Sequence, residues 1–152
     1  WGSYPIPSRI VAAYDLWSSR SLNTEKGVEV WLQRITWVAP PYVPYAPALA
    51  ARGIRVDRLL LIRDVSEEQA LWAAEQALTS GGCGAVLAWP QQVQTAQLRR
   101  LQLAAERGNC PGILFRPPRA TRQGSPAALR LRAWPAPLGL EVEVEFRLPD
   151  RP

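Results

Sequence analysis

The sequence predicts an α/β protein with a mainly parallel sheet, flanking helices and a C-terminal antiparallel hairpin. Three short apolar runs lack polar alternation, which is typical of strands covered on both faces. Amphipathic helices separate these runs, and the repeated alternation with short loops favours parallel strands joined by right-handed crossovers. Two alternating segments near the C-terminus predict the hairpin. With 152 residues and 47% hydrophobic composition, the chain is long enough for one domain with its own core.

The N-terminal part has the weakest pattern. Ser8 is placed to cap a short helix, of which one face would carry Ile10, Ala13, Tyr14 and Trp17. We therefore divide the chain into an N-terminal segment of unclear role, residues 1–27, and an α/β core, residues 28–152. Within the core, residues 28–32 and 35–39 are rich in β-branched and aromatic side chains, which predicts two strands or one interrupted strand.

The other elements follow in order along the core. Residues 45–52 predict a short helix, and the apolar run 59–62 predicts a strand. Ser66 and Gln69 form a capping-box pattern that begins a helix ending at Thr79. The remaining predictions are a strand at 85–89, a helix at 95–107, a strand at 112–115 and a hairpin after residue 128 that closes the sheet edge.

Composition excludes several kinds of site. The chain has no histidine and only two cysteines, Cys83 and Cys110, so a zinc site and histidine-based catalysis are not expected. The two thiols are expected to be buried and free. No apolar stretch is long enough to span a bilayer, and the first residues lack a signal-peptide pattern, so we expect a cytoplasmic protein without a membrane partner.

The formal net charge is +5, and 17 of the 18 basic residues are arginines, the exception being Lys26. Arginine favours planar, bidentate contacts with anions. From Arg107 to Leu140 there are six arginines and no acidic residue. This part of the sequence therefore predicts a basic surface patch.

The ends of three predicted strands carry none of the groups that catalysis or magnesium binding would require. They read Ala39-Pro40-Pro41, Trp89-Pro90 and Arg116-Pro117-Pro118. Proline supplies neither a proton carrier nor an amide N–H group. The glycine-rich phosphate-binding patterns of nucleotide enzymes are also absent from the sequence. We therefore predict a non-enzymatic protein without a metal or cofactor.

Several long runs resemble one family of bacterial proteins. They are Trp37 through Leu49, Ala70 through Leu78, Cys83 through Trp89, Leu98 through Glu106, Phe115 through Pro117, and Ser125 through Leu131. Over about residues 36 to 145 the chain resembles ImuA, the RecA-like and SulA-like protein of translesion-synthesis cassettes. Residues 1–27 do not resemble the family. The phosphate-loop-like turn of the family is also absent from this sequence.

This resemblance implies a truncated RecA-like core and a non-enzymatic adaptor in SOS-induced translesion DNA synthesis. The implied partners are an ImuB-like inactive Y-family polymerase, RecA and single-stranded DNA, with homo-oligomers as an open question. A second hypothesis is a SulA-like division inhibitor that binds the tubulin-like FtsZ. A third is a nucleotide-binding enzyme whose phosphate loop lies outside this sequence.

Eight residues are the candidate contact sites. The resemblance places residues 117–128 where RecA has a mobile loop that contacts single-stranded DNA, and the arginines in and around this stretch independently suit a flexible cationic loop. The DNA-binding candidates are Arg116, Arg119, Arg122 and Arg130. Exposed tryptophans and arginines are typical of protein interfaces. The partner-binding candidates are Trp72, Trp134, Arg99 and Arg100.

Overall fold

The computed structural model describes residues 11–15, 34–127, 129–137 and 139–146. Within these ranges it contains a five-stranded sheet, a separate two-stranded sheet and three α-helices. The strand predicted at residues 28–32 lies outside the described residues. None of the helices in these ranges is long and apolar enough to cross a membrane.

The central sheet is built from β1 (Val11–Asp15), β2 (Arg34–Val38), β3 (Leu59–Ile62), β4 (Cys83–Ala88) and β5 (Gly112–Arg116). Its strand order is β1-β5-β4-β2-β3. The last four strands in this order are mutually parallel, and β1 pairs antiparallel with β5. The predicted mainly parallel sheet is therefore confirmed.

Three helices connect the strands: α1 (Ala46–Ala51), α2 (Glu67–Thr79) and α3 (Thr95–Gly108). The capping box predicted at the start of α2 is present, since the Ser66 hydroxyl accepts from the Gln69 amide and the Gln69 side chain accepts from the Ser66 amide. Asn109 caps the α3 helix directly after Gly108, and its φ of 47° is the left-handed conformation common after helices.

The main core lies between the sheet and the helices α2 and α3. Alternate strand residues point into it, including Val38, Val86 and Leu114, and they meet Leu78 and Leu98 from the two helices. All five of these side chains are at most 4% exposed. The helices thus cover one face of β2, β4 and β5, and the intervening residues of these strands lie on the opposite face. The edge strand β3 has no buried residue, and its Leu60 is 47% exposed, so the expectation that this strand is covered on both faces is wrong.

Two sequence predictions about the sheet edges are wrong. Residues 11–15, expected in a helix, form β1, because pairing with β5 satisfies the hydrogen bonds of an otherwise open edge. Ser8, Ile10 and Trp17 of the same predicted helix lie outside the described residues. The hairpin, β6 (Leu129–Ala136) and β7 (Gly139–Phe146), forms as predicted but does not close that edge. It makes its own two-stranded sheet, and β6 lies against β1.

Candidate functional site

Three parallel strands end side by side at the carboxyl edge of the sheet. The end of β2 continues into Pro40, the end of β4 into Pro90, and the end of β5 into Pro117. Because β2 pairs with β4 and β4 pairs with β5, these prolines share one edge. Ligands of open α/β sheets usually bind at such an edge. This carboxyl edge is therefore the candidate position for a binding site.

Three aromatic rings lie on the sheet face opposite the helices α2 and α3. Trp89 stacks on Phe115 with the ring centroids 4.6 Å apart and the planes inclined by only 8°. Trp37 meets the other side of this group, with its centroid 5.4 Å from that of Trp89. Each ring follows or precedes a buried residue of its strand, so the strand alternation itself directs all three to one face.

Prolines and tyrosines surround these rings and complete a cleft of about 580 Å³. Tyr42 and Tyr45 are 65% and 72% exposed, and Val43 beside them is 62% exposed. We call this feature the aromatic cleft; it is lined by residues 37, 40–45, 48, 49, 89, 91 and 115–118. Among the described residues, this lining offers apolar and aromatic contact area but no carboxylate, so it is better suited to binding than to proton transfer.

Arg116, expected on an exposed cationic loop, is instead the last residue of β5 and only 5% exposed. Its Nη2 donates to the Gln123 Oε1, and the Gln123 Nε2 donates to the carbonyl of Val93 at 2.7 Å. A buried guanidinium needs such acceptors because desolvation of a charge is costly. This arginine is therefore tied to the segment after β5 and does not lie on an exposed loop, although it contributes to the lining of the aromatic cleft.

A second, polar cleft of about 660 Å³ lies at the start of the helices α2 and α3. The Glu67 Oε1 accepts from the amides of Gln91 and Gln92 at 2.8 and 3.1 Å. The Arg119 Nη2 donates to the carbonyl of Gln91 at 3.0 Å. Since a carboxylate already occupies the backbone donors of this turn, a phosphate group would have to displace it.

The other DNA-binding candidates are distributed over two elements. Arg119 and Arg122 are exposed on the one-turn 3-10 helix Pro118–Arg122. Arg130 is half-buried on β6, opposite Glu145 in the register of the hairpin. The structure thus brings two of the four arginines together on one exposed turn, and the other two lie elsewhere.

The partner-binding candidates also fall into separate places. Trp72 is 62% exposed on α2, whereas the Trp134 Nε1 of β6 donates to the Glu141 Oε2 at 2.6 Å. Arg100 of α3 bridges to the Glu75 Oε2 of α2 at 2.6 Å, and Arg99 donates to the Gln102 Oε1 at 2.8 Å. Both arginines are exposed but already hydrogen-bonded within the helix layer.

Sequence reasoning missed three of the residues that shape this edge. Glu67 and Gln123 link elements 24 or more residues apart, and no local pattern reveals such a link. Asp64 follows β3 at the same edge of the sheet and is exposed, with a φ of 57°. A sequence search extended to the end of β3 would have found this carboxylate.

The two cysteines are free, Cys110 fully buried and Cys83 half-buried. The Cys83 Sγ lies 3.2 Å from the Oγ1 of the buried Thr36. Burial raises the pKa of the Cys110 thiol to about 12, and the nearby Cys83 contributes in the same direction. Within the described ranges, no three metal-binding side chains come together.

Comparison with known proteins identifies a family to which this sequence is similar. The family model described as "Cell division inhibitor SulA" matches residues 28–112, which is more than half of the chain. The chain belongs to the SulA family. The matched segment runs from before β2 to the first residue of β5, so it includes the helices α1 to α3 and most of the parallel sheet.

Curated SulA relatives show moderate identity. The chain is 33% identical over 81 residues to the cell division inhibitor SulA of Edwardsiella piscicida, covering 53% of this chain and 48% of that protein. It is 30% identical over 96 residues to SulA of Photorhabdus laumondii, covering 63% and 54%. The chain thus spans about half the length of the curated relatives it matches. A crystal structure of SulA from Pseudomonas aeruginosa aligns at 26% identity with a TM-score of 0.49, covering 55% of this chain and 70% of that one.

The match to the SulA family divides the candidate residues into two groups. Trp72, Arg99 and Arg100 lie inside the matched segment, as do most residues of the aromatic cleft. The remaining candidates follow residue 112, on the last residue of β5, the 3-10 helix and the hairpin; they are Arg116, Arg119, Arg122, Arg130 and Trp134.

Proposed function

We propose that this SulA-family chain is a non-catalytic inhibitor of bacterial cell division that acts by binding the tubulin-like FtsZ. The curated relatives are described as cell division inhibitors. The observation that carries the proposal is the aromatic cleft, which occupies the carboxyl edge where an α/β enzyme would hold its reactive groups.

The composition of the cleft favours a protein partner. Tyr42, Val43 and Tyr45 form a contiguous exposed group beside the rings of Trp37 and Trp89. Large exposed apolar groups of this kind mark interaction sites, and aromatic side chains supply much of the binding energy in interfaces. FtsZ would bury these side chains, and the strand-end prolines would leave the chain without nucleotide chemistry of its own.

The test is inhibition of FtsZ polymerisation, followed by light scattering while the purified chain is titrated. The paired substitution Tyr42→Ala and Tyr45→Ala removes two exposed rings without disturbing the core. We expect it to raise the concentration for half-inhibition about thirtyfold, since truncation of each interface aromatic costs about 1 kcal/mol or more. The matched control is Trp72→Ala, which removes an equally exposed ring from the helix layer on the other side of the sheet.

Different results would contradict the inhibition of FtsZ and its binding to the aromatic cleft. If the unaltered chain leaves FtsZ polymerisation unchanged at stoichiometric concentration, the division-inhibitor function is wrong. If it inhibits but the tyrosine pair and the control behave alike, FtsZ binds another surface.

A second candidate function is the translesion adaptor that the ImuA resemblance implies. The observation that favours it is that this resemblance continues past residue 112, where the match to the SulA family model ends. The 3-10 helix with Arg119 and Arg122 and the whole β6-β7 hairpin lie in that continuation. Its partners would be an inactive Y-family polymerase, RecA and single-stranded DNA.

This candidate is tested by pull-down of the purified partners and by anisotropy of labelled single-stranded DNA over a range of salt. Removal of one phosphate-binding side chain, by Arg119→Ala or by Arg122→Ala, should lower the log-log salt slope of the affinity by about 0.7. The control is Arg107→Ala, which removes an exposed arginine from the end of α3. Absence of both salt-sensitive DNA binding and partner capture would reject the adaptor function.

A further inference from the structure

The outer edge of β7 is the feature that neither proposed function uses. The strand forms one side of the two-stranded sheet, and its other side faces no strand within the described part of the chain. An open strand edge presents a row of backbone donors and acceptors on which a further strand can pair. A two-stranded sheet is also only marginally stable by itself, so a third strand would stabilise it.

The two faces of β7 differ sharply in chemistry. Val142 and Val144 are 52% and 47% exposed on one face. Glu141 and Glu143 alternate with them on the other face. The side chain of Glu143 keeps 56% of its surface exposed although it forms an ion pair of 3.2 Å with Arg132. A strand that pairs here would meet valine on one face and carboxylate on the other.

A second copy of β7 does not complement this edge. Antiparallel pairing centred on residue 143 places Glu143 opposite itself and Glu141 opposite Glu145, and like charges directly opposite one another are destabilising. A shift of one residue places Val142 opposite Glu143 on one face and loses the apolar contact. Charge therefore disfavours pairing between copies and favours a basic strand.

The chain itself contains a strand of the required kind. β6 alternates Leu129, Leu131 and Ala133 with Arg130 and Arg132, and it already pairs with the inner edge of β7. We propose that the outer edge of β7 binds an extended segment of a partner protein in which apolar residues alternate with arginine or lysine. Backbone pairing supplies affinity in this mode, and the alternating side chains supply specificity.

The experiment uses the full chain and a fluorescein-labelled eight-residue peptide with the alternation Leu-Arg. Binding is measured by anisotropy, and the site is located by hydrogen exchange of residues 139–146. Two peptides are compared with it: one with glutamate in place of arginine, and one of the same composition with the four leucines and four arginines in separate blocks. We expect binding of the alternating basic peptide alone, with slower amide exchange in β7.

Paired substitution of Glu141→Gln and Glu143→Gln removes the charge but keeps one side-chain oxygen at each position that can accept from Trp134 and Arg132. We expect about tenfold weaker binding of the basic peptide, from the loss of two cross-strand charge pairs. The control pair, Glu68→Gln and Glu106→Gln, changes the net charge equally at two exposed helix positions and should leave binding unchanged.

The proposal is overturned if the alternating peptide does not bind. It is also overturned if the block peptide binds as tightly, because strand pairing would then be irrelevant. Protection of amides elsewhere than in residues 139–146, or equal weakening by both glutamine pairs, would likewise exclude the β7 edge.

Discussion

Gly108 at the end of α3 lies directly against the main-chain carbonyl of Leu78 in α2. A Cβ atom placed on Gly108 would be 1.8 Å from that oxygen and 2.9 Å from its carbon. Both neighbours are backbone atoms, so they cannot rotate away. The close approach of the two helices therefore depends on glycine at this position.

We expect Gly108→Ala to lower the free energy of unfolding by about 3 kcal/mol, because the two helices must separate to admit the methyl group. Urea denaturation followed by circular dichroism measures the change. Gly124→Ala is the matched control, since a Cβ there meets no atom of the described residues within 4 Å and should change stability by less than about 0.5 kcal/mol. Equal effects of the two substitutions would contradict the packing argument.

The parallel layer was predictable because its signals are local. The capping box of Ser66 and Gln69 and the apolar run Leu59–Ile62 fixed two elements at their observed bounds. The antiparallel β1 could not be predicted in the same way. Its residues show a helix-like spacing, and only the open edge of β5, about a hundred residues further along the chain, selects the strand.

The candidate site was predictable only in part, for the same reason. The proline-terminated strand ends are visible in the sequence, and parallel pairing brings them together. The burial of Arg116 could not be predicted from the sequence, because this residue begins a stretch rich in proline and polar residues, which is typical of an exposed loop. Its environment is created by Gln123 and by the carbonyl of Val93, which a side-chain hydrogen bond joins across 30 residues.

Gln123→Leu should lower the free energy of unfolding, because it breaks the buried hydrogen bonds between Arg116, Gln123 and the Val93 carbonyl. The substitution removes the acceptor of the Arg116 Nη2 and the donor to the Val93 carbonyl, and we expect a loss of about 2 kcal/mol in the free energy of unfolding. Arg122→Ala, an exposed neighbour, should change stability by less than about 0.5 kcal/mol. The double variant Arg116→Leu with Gln123→Leu should cost less than the sum of its single variants. Strict additivity would show that the two side chains do not act together.

The buried thiol of Cys110 should make the fold sensitive to alkaline pH. Burial raises the pKa of this thiol from an ordinary value of 9.0 to about 12, with Cys83 adding to the shift. The folded state therefore favours the protonated thiol, and the unfolded state releases its proton first. This contribution to stability is fully present below pH 9 and is lost as the pH rises towards 12.

The measurement is the free energy of unfolding of the unaltered chain and of Cys110→Ala at several pH values between 7 and 11. We expect the advantage of the unaltered chain to shrink above pH 9. Cys83→Ala should keep most of the alkaline loss, because the buried thiol remains. If the difference between the unaltered chain and Cys110→Ala is constant with pH, ionisation of Cys110 does not contribute.

Ala39 leads from β2 into the aromatic cleft with a backbone conformation that is unfavourable for its side chain. It directly follows β2 with a φ of 51°, and its amide donates to the Ile62 carbonyl at 2.9 Å. The left-handed conformation is unfavourable for alanine, and the following Pro40 disfavours helical conformations in the residue before it. Ala39→Gly should therefore raise the free energy of unfolding by about 1 kcal/mol. Ala73→Gly in α2 is the control and should lower it by about 1 kcal/mol, since glycine is poor within a helix. Both changes are measured by thermal unfolding, and equal destabilisation by the two substitutions would show that the turn into the aromatic cleft is not strained. Opposite signs would show that the conformation of Ala39, which positions Pro40 and Pro41 at the cleft, lowers the stability of the fold.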